Sequence, residues 1–229
     1  MPLADTIGIL QAHIKKICKN SPLSKNPVTL LAASKGQPAP LIIEAIEAGL
    51  ADFGENRVQE AGDKWGALRK AYPQLRLHLI GPLQTNKVKQ ALALFDVIQT
   101  IDRPKVAEVL SAELRVLSNK NTQHSALKTQ HFFIQVNTGK EPQKAGVIPE
   151  EADALIDYCK TQLRLPIVGL MCIPPTGQPP APHFALLRQI ADRHGLRELS
   201  MGMSDDFETA VRMGSTCVRL GRAIFGERK

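Results

Sequence analysis

Along the 229 residues of this chain, a short apolar stretch followed by a segment with helical spacing recurs eight times without an intervening linker. Strands that alternate with helices specify a parallel sheet, and eight such repeats specify a closed barrel. The expected fold class is therefore α/β, a single (β/α)8 TIM-type barrel domain over 1–229. An open doubly wound sheet is the alternative. Strands are expected at 28–33, 50–53, 75–80, 96–99, 131–136, 165–171, 197–200 and 216–220. Helices follow at 40–48, 57–71, 85–94, 104–117, 149–162, 182–194 and 204–213, and the last begins near Arg222 and is cut short. An extra amphipathic N-terminal helix spans 6–19, with Ile7, Leu10, Ile14 and Ile17 on one face and Asp5 as its cap. This segment (1–20) is free to pack on the barrel and cover the gap left by the short final helix. The polar, aperiodic stretch 118–130 reads as the most mobile part of the surface.

In a barrel the carboxyl end of every strand opens onto one face, so the loops after the strands form a single site. The first strand is a nearly unbroken apolar run, as suits a strand covered on both faces, and it ends abruptly in Ser34 and Lys35. A lysine there is either a reactive amine or a snorkelling side chain. Phosphate groups usually bind at the loops after strands seven and eight. Here those loops are SMGMSDD and RLGRAIFG, each with Ser or Gly ahead of a helix start. Glycine at 202 and 221 lets the backbone approach an anion closely. Ser204 and Asp205 read first as caps of the helix that follows them.

A lysine facing a phosphate cradle suits a Schiff base. The amine must be unprotonated to attack an aldehyde, and burial lowers a lysine pKa from about 10.4. Pyridoxal 5′-phosphate carries an aldehyde, a phosphate and a pyridine nitrogen, and Arg219 at the end of strand eight is placed to meet that nitrogen. A sugar-phosphate aldolase combines the same two features, so spacing alone leaves both open.

Composition narrows the classes. A net charge of +7 and a pI near 9.3 suit an anionic partner, but the basic residues are dispersed and only 4% of residues are aromatic. Stacking platforms for single-stranded nucleic acid are poorly supplied, so no nucleic-acid partner is expected. No apolar run approaches the roughly 18 residues that a membrane helix needs. The N-terminus lacks the pattern of a signal peptide. Cys18, Cys159, Cys172 and Cys217 are scattered, as in thiols of a reducing cytosol, and form no metal-ligand pattern. The expected location is cytoplasmic.

The segments LLAASKGQP, FGENRVQE, LHLIGPLQTNKVK, QVNTGKEPQKAG, GLMCIPP and LSMGMSDDFETAVRMGSTCVRLGRAIFG resemble, in order and over almost the full length, the YggS/PROSC family of pyridoxal-phosphate homeostasis proteins. The resemblance implies a fold-type III barrel like the N-terminal domain of bacterial alanine racemase, with pyridoxal 5′-phosphate held as a Schiff base on Lys35. It implies that Ser200, with the backbone of Gly221 and Arg222, holds the phosphate, that Arg219 faces the pyridine nitrogen and that Asn56 lies nearby. Lys87 and Lys144 match family lysines tied to secondary cofactor contacts or exchange. The sequence departs from the family at Gly36, where threonine is usual, and at Arg222, often threonine. Only a backbone N–H, with or without the guanidinium, then serves the phosphate at 222.

Two further points bear on turnover. A guanidinium keeps its own proton, so Arg219 leaves the pyridine ring a poorer electron sink, a feature that racemases share. Two-sided proton transfer also needs a base on each face, which in racemases resembles a tyrosine from a separate C-terminal domain. This chain stops at Lys229, and its tyrosines, Tyr72 and Tyr158, fall on helices. The expectation is a monomeric carrier, not an enzyme, that serves vitamin B6 homeostasis and passes the cofactor to PLP-dependent apoenzymes. A single-domain racemase or lyase acting on an amino acid is the alternative.

Overall fold

The computed structural model describes residues 1–24, 26–120 and 130–227. Eight parallel strands form a closed barrel in chain order: β1 (Thr29–Ala33), β2 (Asp52–Glu55), β3 (Arg76–Leu79), β4 (Val97–Ile101), β5 (His131–Val136), β6 (Ile167–Cys172), β7 (Glu198–Ser200) and β8 (Cys217–Leu220). Closure is made by β8 against β1, with Thr29 opposite Cys217 and Ala32 opposite Leu220. The open-sheet alternative is thereby excluded. The helices are α1 (Leu3–Lys19), α2 (Ala39–Glu47), α3 (Val58–Ala71), α4 (Val88–Leu94), α5 (Pro104–Lys120), α6 (Pro149–Asp157), α7 (Pro180–Arg193), α8 (Phe207–Arg212) and α9 (Arg222–Phe225).

Side chains alternate across each strand, so a barrel strand serves two cores. Phe53, Leu77, Leu79, Ile98, Ile134, Leu170 and Val218 point outward and pack with Trp65, Leu110, Ile156 and Phe184 of the surrounding helices. The alternate positions point into the barrel, where Val97, Phe133 and Met171 form a small separate cluster. Around it lie buried polar residues, among them His78, Gln99, Ser200 and Arg219. The stem of the mouth is thus partly polar, whereas barrel interiors are ordinarily filled by branched aliphatics.

α9 has only four residues, and α1 takes up the neighbouring space by packing against α8, α2 and α9. Leu3, Ile7, Ile14 and Ile17 bury this face, each worth about 1.5–3 kcal/mol of transfer free energy. The Ser21 hydroxyl then fastens the end of α1 to α8 by donating to the Arg212 carbonyl (2.8 Å).

Some boundaries differ from the sequence expectation, each for a local reason. α1 begins at Leu3, so Asp5 sits in its first turn and is not the cap. Leu50 opens no strand: its N–H bonds back to the Ala45 carbonyl, closing α2 through Gly49 at φ 92°. β2 therefore runs later and takes in Gly54 and Glu55, which had been expected in a loop. α6 ends at Asp157 and continues as one π-helical turn, Tyr158–Gln162. α5 extends to Lys120, and residues 121–129 of the stretch expected to be mobile lie outside the described residues.

Candidate functional site

At the carboxyl ends of the strands lies a cleft of about 410 Å3. Lys35, Asn56, Ile173, Ser204, Arg219, Gly221 and Arg222 line it, and Gly221 lies beside Ala33 because β8 pairs with β1. Five of the six residues singled out from the sequence therefore meet on one cleft. Ser200 does not line it. Its hydroxyl is buried in the barrel, donating to Gln99 Oε1 (2.6 Å) and accepting from Arg219 (2.7 Å).

Lys35 is held by the residues on either side of it. The Ser34 hydroxyl donates to Glu55 Oε1 (2.7 Å), and the Ser34 carbonyl accepts from Lys64 Nζ (3.0 Å). Glu55 Oε1 also receives Lys64 Nζ (3.0 Å) and the indole N–H of Trp65 (3.0 Å). On the other side, the Gly36 N–H donates to Glu60 Oε1 (2.7 Å). That bond, with help from Lys64 and against some desolvation, holds the Glu60 carboxyl below its ordinary pKa. Gly36 has a φ of 70°, a left-handed conformation that glycine enters without steric cost. The glycine at 36 thus matches the backbone it occupies.

The adjoining wall is built by the loops after β7 and β8. Gly202 has a φ of 98°, and a Cβ there would lie 2.6 Å from that of Ala210, so only glycine lets this loop fold against α8. Ser204 and Asp205 are not caps of α8, which starts at Phe207 with Asp206 in the cap position. The Ser204 hydroxyl instead accepts the Ala223 N–H at the start of α9 (3.2 Å). Asp205 pairs with the Arg222 guanidinium, which also approaches Glu227 (3.7 Å). The two loops are in this way tied across the cleft wall.

Arg219 is the buried cation of the site, 4% exposed. Its guanidinium donates to the Ser200 hydroxyl and to the Cys172 carbonyl (2.9 Å). Burial lowers its pKa from the ordinary guanidinium value. The other expected participants lie elsewhere. Lys144 pairs with Glu141 (2.6 Å), and neither it nor Lys87 lines the cleft. Tyr158 donates to Glu108 (3.2 Å), and Tyr72 closes the end of α3. The cysteines are free thiols, and burial pushes Cys159 and Cys172 up to about 12 and Cys217 up to about 11. Among the described residues, no three His, Cys, Asp or Glu side chains are grouped so as to hold a metal ion. No described helix is long and apolar enough to cross a membrane.

Sequence reasoning did not single out Glu55 and Lys64 as the supports of Lys35, nor Gln99 and His78 as neighbours of Ser200. The available signal was the alternation in Arg76-Leu77-His78-Leu79, which sends the histidine inward while both leucines face the helices.

Comparison with known proteins identifies the family and the fold. The family described as "Alanine racemase, N-terminal domain" matches residues 10–229. The pyridoxal phosphate homeostasis protein of Aquifex aeolicus is 39% identical, with all of both chains covered. That of Escherichia coli K12 is 40% identical over 92% of this chain and 89% of its own. The solved structure of PipY from Synechococcus elongatus with PLP bound superimposes with a TM-score of 0.79 at 33% identity, covering 98% of this chain and all of that one. An alanine racemase of Clostridium difficile shares the fold alone, with a TM-score of 0.69 at 14% identity over 95% of this chain and 56% of its own. With a strand-end lysine in the cleft of an eight-stranded barrel, and full-length relatives of one kind, this chain belongs to the pyridoxal phosphate homeostasis protein family, whose fold is that of the alanine racemase N-terminal domain.

Proposed function

We propose that the cleft binds pyridoxal 5′-phosphate with the Lys35 amine as its Schiff-base partner, and that the protein holds and releases the cofactor without efficient turnover. The observation that carries this reading is that Lys35, Arg219 and the 221–222 backbone line one cleft. The residues present fit the cofactor: an amine for the aldehyde, a buried cation at the cleft floor, and a wall of Ser204, Gly221 and Arg222 for the anionic end. Relatives named for pyridoxal phosphate homeostasis, and one solved with PLP bound, support the same assignment.

When bound, the cofactor supplies an aldehyde carbon and an electron-withdrawing ring. Lys35 presents the nucleophile, and the Ser34–Glu55–Lys64 contacts set its direction. Arg219 orients the ring without surrendering its proton, because a guanidinium stays charged even when burial lowers its pKa. In this reading Ser204, not Ser200, offers its hydroxyl toward the anion, and Ser200 serves Arg219. The cleft carboxylates, Asp205 and Glu227, are turned to Arg222. Both tyrosines lie outside the cleft, so no second base of that kind faces the substrate side. We assign the protein to cofactor supply in the cytosol, as a monomer that delivers vitamin B6 to PLP-dependent apoenzymes.

Incubation with pyridoxal phosphate should give a yellow protein whose visible band borohydride abolishes and which Lys35→Ala fails to form. Incubating the loaded protein with amino acids in deuterated water tests the second half. Only trace α-proton exchange is expected, and sustained exchange at enzyme-like rates would make it a racemase or lyase.

A further inference from the structure

The barrel interior contains a hydrogen-bond chain of which the assignments above use only the first link, Arg219 to Ser200. It starts at Arg219 in the cofactor cleft and passes to Ser200 Oγ (2.7 Å), then to Gln99 Oε1 (2.6 Å). Gln99 Nε2 continues it to His78 Nδ1 (3.0 Å), and His78 Nε2 ends it at Asp52 Oδ1 (2.9 Å). The five residues come from β8, β7, β4, β3 and β2. His78 and Gln99 line a second cleft, of about 480 Å3, at the amino ends of the strands. The chain therefore runs from one mouth of the barrel to the other.

Its direction is fixed by its ends. A guanidinium only donates and a carboxylate only accepts. Arg219 must give a proton to the Ser200 oxygen, which leaves the single serine hydrogen for the Gln99 carbonyl. The Gln99 amide then has only N–H to offer, so His78 Nδ1 accepts and its Nε2–H goes to Asp52. Every link points the same way, and aligned hydrogen bonds polarise one another inside a low-dielectric core. The reverse amide orientation needs an imidazolium at 78 and leaves the serine hydrogen without this acceptor. Desolvation lowers the His78 pKa and outweighs its bond to Asp52, which favours the neutral ring.

The chain also answers an electrostatic problem. Arg219 is buried, and both hydrogen-bond partners of its guanidinium are neutral oxygens. A buried charge is costly unless negative charge offsets it, and the Asp206 carboxylate acts on Arg219 from the loop ahead of α8. Asp52, itself bound to Arg76 (2.7 Å), adds a second acceptor end, at the far mouth, toward which the chain's dipoles are aligned.

We propose that Ser200, Gln99 and His78 are positioning residues that hold the Arg219 guanidinium toward the bound cofactor through this one-way chain to Asp52. The proposal rests on the reading of the carboxyl-end cleft as the cofactor site, and its test has one arm that does not. In apoprotein labelled with 15N, the His78 ring at neutral pH should be neutral and protonated at Nε2, and Gln99→Leu should shift the Nδ1 resonance. An Nδ1–H tautomer, or an imidazolium, would overturn the chain whatever the cleft binds. In protein loaded with pyridoxal phosphate, Ser200→Ala and Gln99→Leu should each shift the visible band and speed cofactor release by about tenfold, the scale of one hydrogen bond to a charged group.

The double variant should release no faster than the worse single one, because either change cuts the same chain. Ser200→Thr, which keeps the hydroxyl, should restore the spectrum. Additive losses of about a hundredfold, or variants with unchanged band and release rate, would show that these residues merely fill the barrel. If wild-type protein takes up no cofactor, the site assignment fails, and the apoprotein resonances still decide the chain.

Discussion

Glu55 and Lys64 show how a single residue at the site depends on others that never touch a ligand. Glu55 is fully buried at the end of β2, and Lys64 reaches it from α3 with a side chain only 12% exposed. Removing one member strands the other charge in the core, so Lys64→Met should cost about 3–5 kcal/mol in urea unfolding. Lys140→Met, at the exposed pair with Glu150, should leave the urea midpoint nearly unchanged. Thiol chemistry gives an independent check. Cys159, Cys172 and Cys217 are buried with raised pKa values, whereas Cys18 is partly exposed. Alkylation of the native protein should mark Cys18 alone by mass spectrometry, and denaturant should open all four. Lys35 was legible in the sequence because a basic residue ended an apolar strand ahead of glycine. Its supports were not, since Lys64 looks like any charged residue on an exposed helix until the fold turns it inward.

The elements were legible as types more than as limits. Strands showed because each apolar run is short and broken by Gly or Pro. The start of β2 was misread because Leu50 is consumed by the turn that closes α2, which depends on a positive φ at Gly49. The start of α8 was misread because Asp206 takes the Met203 N–H (2.6 Å), holding 204–206 out of the helix. That displacement leaves Ser204 and Asp205 available for the α9 loop and hence for the cleft wall. α1 illustrates the energetic side. Ile7 is buried against the barrel helices, so Ile7→Ala should cost about 2–5 kcal/mol. Ile9, two residues on and 58% exposed, should change stability by no more than about 0.5 kcal/mol when made alanine. Parallel denaturation curves of the two variants check both.

At the scale of the whole molecule, the polar stem of the barrel has a consequence for stability. Unfolded, His78 titrates near its ordinary 6.5, and folded it titrates lower because it is desolvated. Between those two values the unfolded chain binds a proton that the folded chain refuses. Stability therefore falls as pH drops through the ordinary histidine value, and rises again with pH. Urea midpoints from about pH 7.5 down to about pH 5 should show this decline, and His78→Gln should flatten it. A wild-type curve no steeper than that of the variant would contradict the buried neutral histidine. The barrel itself followed from counting repeats, but the chain inside it did not. It joins five strands at once, and no local pattern records which inward positions meet across the axis.

The central claim is that the amine at position 35 is the one that engages the cofactor aldehyde. Protein loaded with pyridoxal phosphate can be reduced with borohydride, digested and mapped by mass spectrometry. The account predicts one pyridoxyl adduct, on the peptide that contains Lys35. An adduct at Lys87 or Lys144 with position 35 unmodified would contradict it.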